Sequence, residues 1–177
     1  MRSIFVLIVI MLLCGHVLFA SELLIERDIK YGGVGEHILS LDIYRPKDQV
    51  TGHLPVVVWI HGGGWEKGDK SSGFDRLTPL VSKGVYIGVS INYRLTHQAI
   101  WPAQIFDAKA AIRWLRANSI RYGIDEDRIC VWGTSAGAHI ASLLGVTGGL
   151  KQLEGDSGNS GYSSRVQCVV EFSGPTD

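Results

Sequence analysis

The sequence predicts an α/β domain: a mostly parallel central sheet, helices on both of its faces, and an antiparallel hairpin at the amino-terminal edge. Three observations carry this expectation. Leu54–Ile60 and Val85–Ile91 are continuous apolar, β-branched runs of the kind found in strands covered on both faces. Ala103–Tyr122 repeats apolar residues at steps of three and four, with Ile105, Ala108, Ile112 and Leu115 on one face. Strand-like and helix-like segments alternate along the chain, which is the order of a parallel sheet with crossover helices.

Each element has its own local justification. Leu24–Tyr31 and Leu39–Tyr44 alternate polar and apolar residues around Gly32-Gly33-Val34-Gly35, the pattern of a hairpin. Phe74–Ser82 reads as a helix stopped by Lys83-Gly84. The long helix has Pro102 before it and Gly123 after it, and its charges Asp107, Lys109, Arg113 and Arg116 are expected largely on a solvated face. Ile129–Trp132 is a short buried strand, Ala136–Leu144 a helix, and Val166–Phe172 a final strand. The polar stretch Gly148–Ser164 between them reads as a mobile surface loop.

Composition narrows the classes of function. In 177 residues, 17 Lys+Arg balance 17 Asp+Glu, without the basic excess expected of a dedicated nucleic-acid binder. A hydrophobic share of 46% supports a folded core. Glycine is over-represented, with 22 residues and no collagen-like period, which points to tight loops. At the amino terminus, Met1-Arg2-Ser3 precedes the unbroken apolar run Ile4–Leu13, and Ala20 offers a small residue for cleavage before Ser21. Residues 1–20 therefore read as a secretory signal peptide, predicting a secreted or periplasmic protein with no stable membrane anchor. Residues 21–177 form the folded domain. Cys130 and Cys168 are expected as unpaired thiols in separate core strands.

Two motifs carry chemistry. Gly133-Thr134-Ser135-Ala136-Gly137 lies between a buried strand and an apolar helix. A strand turning sharply into a helix holds the central serine in a strained conformation with its Oγ raised above the sheet. Gly133 and Gly137 remove side chains that would strike the neighbouring strand and helix, and the helix amino end favours developing negative charge. The second motif, His61-Gly62-Gly63-Gly64-Trp65, follows the strand ending at Ile60. Consecutive glycines let the backbone approach a carbonyl, so the amides of Gly63, Gly64 and Ala136 are expected to form an oxyanion hole for acyl transfer.

Together these motifs resemble the α/β-hydrolases of the hormone-sensitive-lipase type. The stretch Trp101-Pro102-Ala103-Gln104-Ile105-Phe106-Asp107 through Ile112-Arg113-Trp114-Leu115 looks more narrowly like bacterial carbohydrate esterases, including acetyl-xylan and feruloyl esterases. The resemblance covers Leu54 to Asp177. It implies a serine carboxylesterase acting through an acyl-enzyme on small-molecule or carbohydrate esters, with Ser135 as nucleophile, no cofactor and no metal. It also implies that His61 braces the glycine loop.

The rest of a catalytic triad is not evident. The acid and histidine should follow the nucleophile in that order, yet the only later histidine, His139, precedes Glu154, Asp156, Glu171 and Asp177. His139 lies one turn into the helix, so its side chain should run beside that helix and not over the Ser135 hydroxyl. The triad acid and histidine are therefore expected beyond Asp177, with the carboxy-terminal part of the fold missing from this chain. A hydrolase-like binding module and a kynurenine-formamidase-like amidase are the alternatives. Trp65 and Trp101 are either an aromatic wall for substrate or packing residues, and Asp107 either anchors a neighbouring loop or is solvated. Glu66–Ser71 has the look of a phosphate loop, but Asp69 intrudes where Gly-Lys-Ser should run together.

Overall fold

The computed structural model describes residues 22–47 and 52–176, so the leader-like segment and Asp177 lie outside the described residues. Six strands form one sheet: β1 (Leu23–Val34), β2 (His37–Pro46), β3 (Leu54–Ile60), β4 (Ile87–Ile91), β5 (Ile124–Thr134) and β6 (Cys168–Phe172). Their spatial order is β1-β2-β4-β3-β5-β6. The hairpin lies at one edge as predicted, with β1 antiparallel to β2 and β2 antiparallel to β4. The β4, β3, β5 and β6 strands run parallel. The hairpin is longer than its alternation suggests. Gly32, Gly33 and Val34 pair with β2, and the turn contracts to Gly35-Glu36, with Gly35 at φ +57°.

Helices cover both faces. Along β3, Val56, Val58 and Ile60 join the main core with Ile105, Ile112, Leu115, Ile140 and Leu144. These come from α2 (Ala103–Ala117) and α4 (Ala136–Val146). The alternate residue Trp59 packs on the other face with Tyr44, Leu77 and Val81, where α1 (Phe74–Val81) lies. Period-two alternation along β3 thus feeds two separate cores.

The long helix departs from expectation in two ways. It breaks at Asn118, leaving α3 (Ser119–Tyr122) as a separate turn before Gly123 at φ +68°. The Asn118 side-chain amide donates to the Trp114 carbonyl at 2.9 Å, and its backbone N–H points to the same carbonyl. That is the local competition by which asparagine ends helices. More importantly, the charges of α2 are buried and not solvated: Asp107 and Lys109 are 0% exposed and Arg113 2%.

The reason is the segment after α4, which folds back over α2 as an ordered strap. Lys109 Nζ donates to Thr147 O at 2.7 Å and to Glu154 Oε1 at 2.9 Å. Arg113 donates to the carbonyls of Glu154, Ser157 and Gly158, and Arg116 to those of Ser163 and Arg165. Buried cations are tolerable only when paired and hydrogen-bonded, and here the strap backbone supplies most of the acceptors. Burial would raise the Glu154 pKa, but hydrogen bonds from Lys109 and Ser164 outweigh it and hold the carboxyl below its ordinary value. A depressed carboxyl stabilises the fold above its unfolded pKa, so this contribution is lost as pH falls through the folded value. Lys109→Ala should cost about 3 kcal/mol in thermal or denaturant unfolding at neutral pH. A loss below about 1 kcal/mol would show that the strap is held by other means.

Cys130 and Cys168 are free thiols, but they are register partners on adjacent strands β5 and β6, with Cys168 exposed. Burial, then the neighbouring Cys168 thiol, pushes the Cys130 pKa up to about 12.

Candidate active site

The chain order reverses around β3: α1 leads to β4 on one side, and α2 leads back to β5 on the other. Ligands in open α/β sheets bind at the carboxyl ends of the strands beside such a reversal. Both sequence motifs sit there, because Ile60 of β3 pairs with Gly133 of β5.

At the end of β5 the backbone turns abruptly into α4. Ser135 adopts φ 52° and ψ −123°, a strained position for a residue with a side chain, and it is exposed. Its N–H donates to the Phe172 carbonyl of β6 at 2.8 Å, and its carbonyl accepts from the amides of Ala138 and His139. A Cβ at Gly133 would collide with the Gly137 carbonyl, and one at Gly137 with the carbonyl of Ile60. The glycines are therefore what allows β3, β5 and α4 to close on one another. A Cβ at Gly62 would lie 2.8 Å from the Thr134 carbonyl and 3.3 Å from Ser135 Cβ, so the glycine loop lies directly against the serine turn.

Within that loop Gly63 has φ +114° and Gly64 φ +61°. The Gly63 carbonyl accepts from the amides of Glu66 and Lys67, which closes the turn. Among the described residues, none accepts a hydrogen bond from the N–H of Gly63, Gly64 or Ala136. Ala136 begins α4, where the first amides of a helix have no intrahelical acceptor. The unspent amides of Gly63 and Gly64 thus belong to a loop that lies against the Ser135 turn, and that of Ala136 directly follows Ser135.

His61 is buried, and its Nδ1 lies 2.7 Å from the Gly62 carbonyl. The carbonyl can only accept, so Nδ1 carries the hydrogen. Burial lowers its pKa, partly offset by this bond and by Asp69. The ring stacks on Tyr93 at 4.4 Å, and the Tyr93 hydroxyl donates to the His61 carbonyl at 2.9 Å. Sequence reasoning missed Tyr93. Its only signal is its place in Asn92-Tyr93-Arg94, just past the carboxyl end of β4. Arg94 forms a bidentate pair with Asp107 at 2.8 and 2.7 Å, so Asp107 anchors this neighbouring loop.

The phosphate-loop likeness disappears in the structure. Asp69 accepts from Ser71 N and Asn92 Nδ2, and it caps the short 3₁₀ turn Lys70–Gly73. Burial would raise its pKa, yet these bonds hold it down at about 2, so a fixed anion stands where a phosphate would need donors.

His139 makes no hydrogen bond to the serine hydroxyl, and its Nδ1 is buried without a hydrogen-bond partner among the described residues. Its ring lies edge-on to Trp65 at 5.4 Å and tilted against Trp101 at 6.1 Å. With Thr96 and Gln104 these three rings line a cavity of about 270 Å³. Trp65 is half-buried, while Trp101 is 51% exposed. Among the described residues, no imidazole hydrogen-bonds Ser135 Oγ, and no cluster of His, Cys, Asp and Glu could hold a metal ion. Asp177 lies outside the described residues.

Comparison with known proteins agrees with this geometry. The model of the BD-FAE family matches residues 41–177. Esterase LipC of Mycobacterium tuberculosis is 36% identical over 153 residues, covering 86% of this chain and 37% of its own length. A solved truncated form of a carbohydrate esterase from gut microbiota superposes with a TM-score of 0.79 at 33% identity, covering 90% of this chain and 59% of that one. A bifunctional GH43-CE protein of Bacteroides eggerthii gives a TM-score of 0.78 at 38% identity, covering 86% of this chain and 23% of that one. The chain thus spans little more than a third of the length of the curated relative.

Proposed function

The chain belongs to the BD-FAE family of α/β-hydrolases, and from that premise we propose that the protein is a serine carboxylesterase with Ser135 as its nucleophile. The observation that carries the proposal is the strained, exposed Ser135 beside a glycine loop whose amides are unspent. A non-glycine residue in such a conformation costs roughly 1–3 kcal/mol, which a binding module without chemistry has no reason to retain. Esterase relatives and carbohydrate-esterase neighbours support the same reading.

Ser135 Oγ attacks the ester carbonyl carbon and its proton passes to a histidine. The carbonyl oxygen becomes an oxyanion held by the N–H groups of Gly63, Gly64 and Ala136. Collapse of this intermediate expels the alcohol and leaves an acyl-serine, which water hydrolyses by the reverse proton path. The fixed amide donors need no reorganisation as charge develops, which is why such a site stabilises the transition state more than the substrate. His61 is not assigned as the base, because its ring is buried against Tyr93 and makes no hydrogen bond to Ser135. It positions the glycine loop. The base and its acid are placed outside the described residues, and the chemistry calls for neither metal nor cofactor. Short-chain or carbohydrate-linked acetyl and feruloyl esters are the proposed substrates.

The leader-like residues 1–20 extend the proposal to export. A full-length form of the protein beginning at Ser21, with the acid and histidine expected beyond Asp177, should be recovered outside the cytoplasm and should hydrolyse p-nitrophenyl acetate. Retention of Met1–Ala20 on the folded protein would overturn export, and absence of ester turnover would overturn the enzymatic reading.

A further inference from the structure

We propose that Cys130 and Cys168 are joined as a disulfide when the protein meets a small-molecule disulfide, and that this bond staples the strand β6 to β5 beside the serine turn. The bond depends on neither the ester chemistry nor the substrate. In the structure both residues are free thiols. They are register partners in the parallel pair of β5 and β6. Neighbouring strands lie about 4.8 Å apart, and paired residues put their side chains on the same face of the sheet. A disulfide spans Cα separations of about 4.4–6.8 Å, so the spacing of the two strands is compatible with the bond. The two sulfurs are already neighbours. After burial, contact with the Cys168 thiol is the next cause that raises the Cys130 pKa, to about 12.

Exposure sets the order of events. Cys168 is exposed and Cys130 half-buried. The thiolate is the reactive form, and its raised pKa keeps Cys130 protonated at neutral pH. Cys168 therefore attacks first, as its thiolate, on one sulfur of a disulfide such as oxidised glutathione, releasing one small thiol. Cys130 then gives up its proton and attacks the Cys168 sulfur of this mixed disulfide, expelling the second. Two protein thiols are thereby oxidised by two electrons to one disulfide. The small disulfide is reduced to two thiols, which carry away both protons.

The position of the bond gives it a consequence. All five residues of β6 are exposed, so no fully buried side chain anchors the strand among the described residues. Yet β6 supplies the Phe172 carbonyl that accepts from the Ser135 amide. A tie between residues 130 and 168 also encloses Ser135, α4 and the strap in one loop. Such ties stabilise chiefly by restricting the unfolded chain. Compartments outside the cytoplasm favour disulfides, but the bond itself needs only the oxidant.

The test uses the full-length protein beginning at Ser21, reduced and then equilibrated with a glutathione redox couple. After alkylation it is digested with trypsin without reduction. The peptide spanning residues 129–151 should be recovered joined to the one that begins at residue 166. In Cys130→Ser the reaction should stop as a glutathione adduct on Cys168. The oxidised wild type should melt about 5 °C above its reduced form, and this shift should vanish in Cys168→Ser. Amide exchange in β6 and around Ser135 should slow about tenfold on oxidation. Two separately alkylated thiols, or a glutathione adduct that persists on wild-type Cys168, overturn the bond. Joined peptides in a protein that melts and exchanges like its reduced form overturn the staple. Joined peptides and a raised midpoint in a protein that turns over no ester support the staple and overturn only the esterase reading.

Discussion

Ser135→Ala should lower kcat for short-chain ester hydrolysis by as much as a million-fold, while leaving the thermal midpoint close to wild type. Removing the nucleophile of a serine hydrolase leaves only the background from binding and the oxyanion hole. Alanine keeps the Cβ and therefore keeps the strained backbone at φ 52°. Ser135→Gly separates the two effects. It should be equally inactive yet more stable by about 1 kcal/mol, because glycine tolerates this conformation and its relief exceeds the added chain entropy. Initial rates with p-nitrophenyl acetate and a calorimetric midpoint for each variant give the result. Retention of more than a few per cent of activity in Ser135→Ala would remove Ser135 from the mechanism. A Ser135→Gly protein no more stable than Ser135→Ala would show that the turn is not strained.

Gly137→Ala should be among the most damaging single methyl groups in the domain. Its Cβ would strike the Ile60 carbonyl and come within 2.5 Å of the His61 carbonyl. Both obstacles are backbone at the end of a central strand, so no side chain can swing aside. Relief requires α4 to move off β3, which disturbs the serine turn and the glycine loop together. A loss beyond 4 kcal/mol belongs to the exceptional class of point mutations and would lower the midpoint by about 10 °C or more. Gly35→Ala is the control: φ is +57° but nothing lies within 4 Å of the added carbon. It should cost only the 1–2 kcal/mol or so of left-handed backbone. If the two variants melt alike, packing at Gly137 is not what holds the turn.

What the sequence made legible was local. The run Val56–Ile60 reads as a strand covered on both faces because its own residues say so, and the two glycine motifs declare themselves by spacing. Their meeting follows from parallel pairing of β3 with β5. The unreadable parts depend on partners far along the chain. Lys109, Arg113 and Arg116 look like an ordinary solvated face because their acceptors lie 38 to 49 residues away, in a segment whose composition resembles a loose loop. The Tyr93 brace leaves no pattern either, since one aromatic after a strand is unremarkable until the fold sets it on His61. Asn118 shows the reverse failure. Helical periodicity continues through it, but one side-chain amide suffices to end the helix.

The hydrogen bond from the Ser135 amide to the Phe172 carbonyl has a consequence for timing. The serine can be synthesised, and α4 can coil, long before residue 172 leaves the ribosome. The strained posture persists only while its surroundings over-determine it, and β6 supplies one of those restraints. A nascent chain lacking β6 lacks this restraint on Ser135, which is added only once residue 172 has been made and β6 has paired with β5.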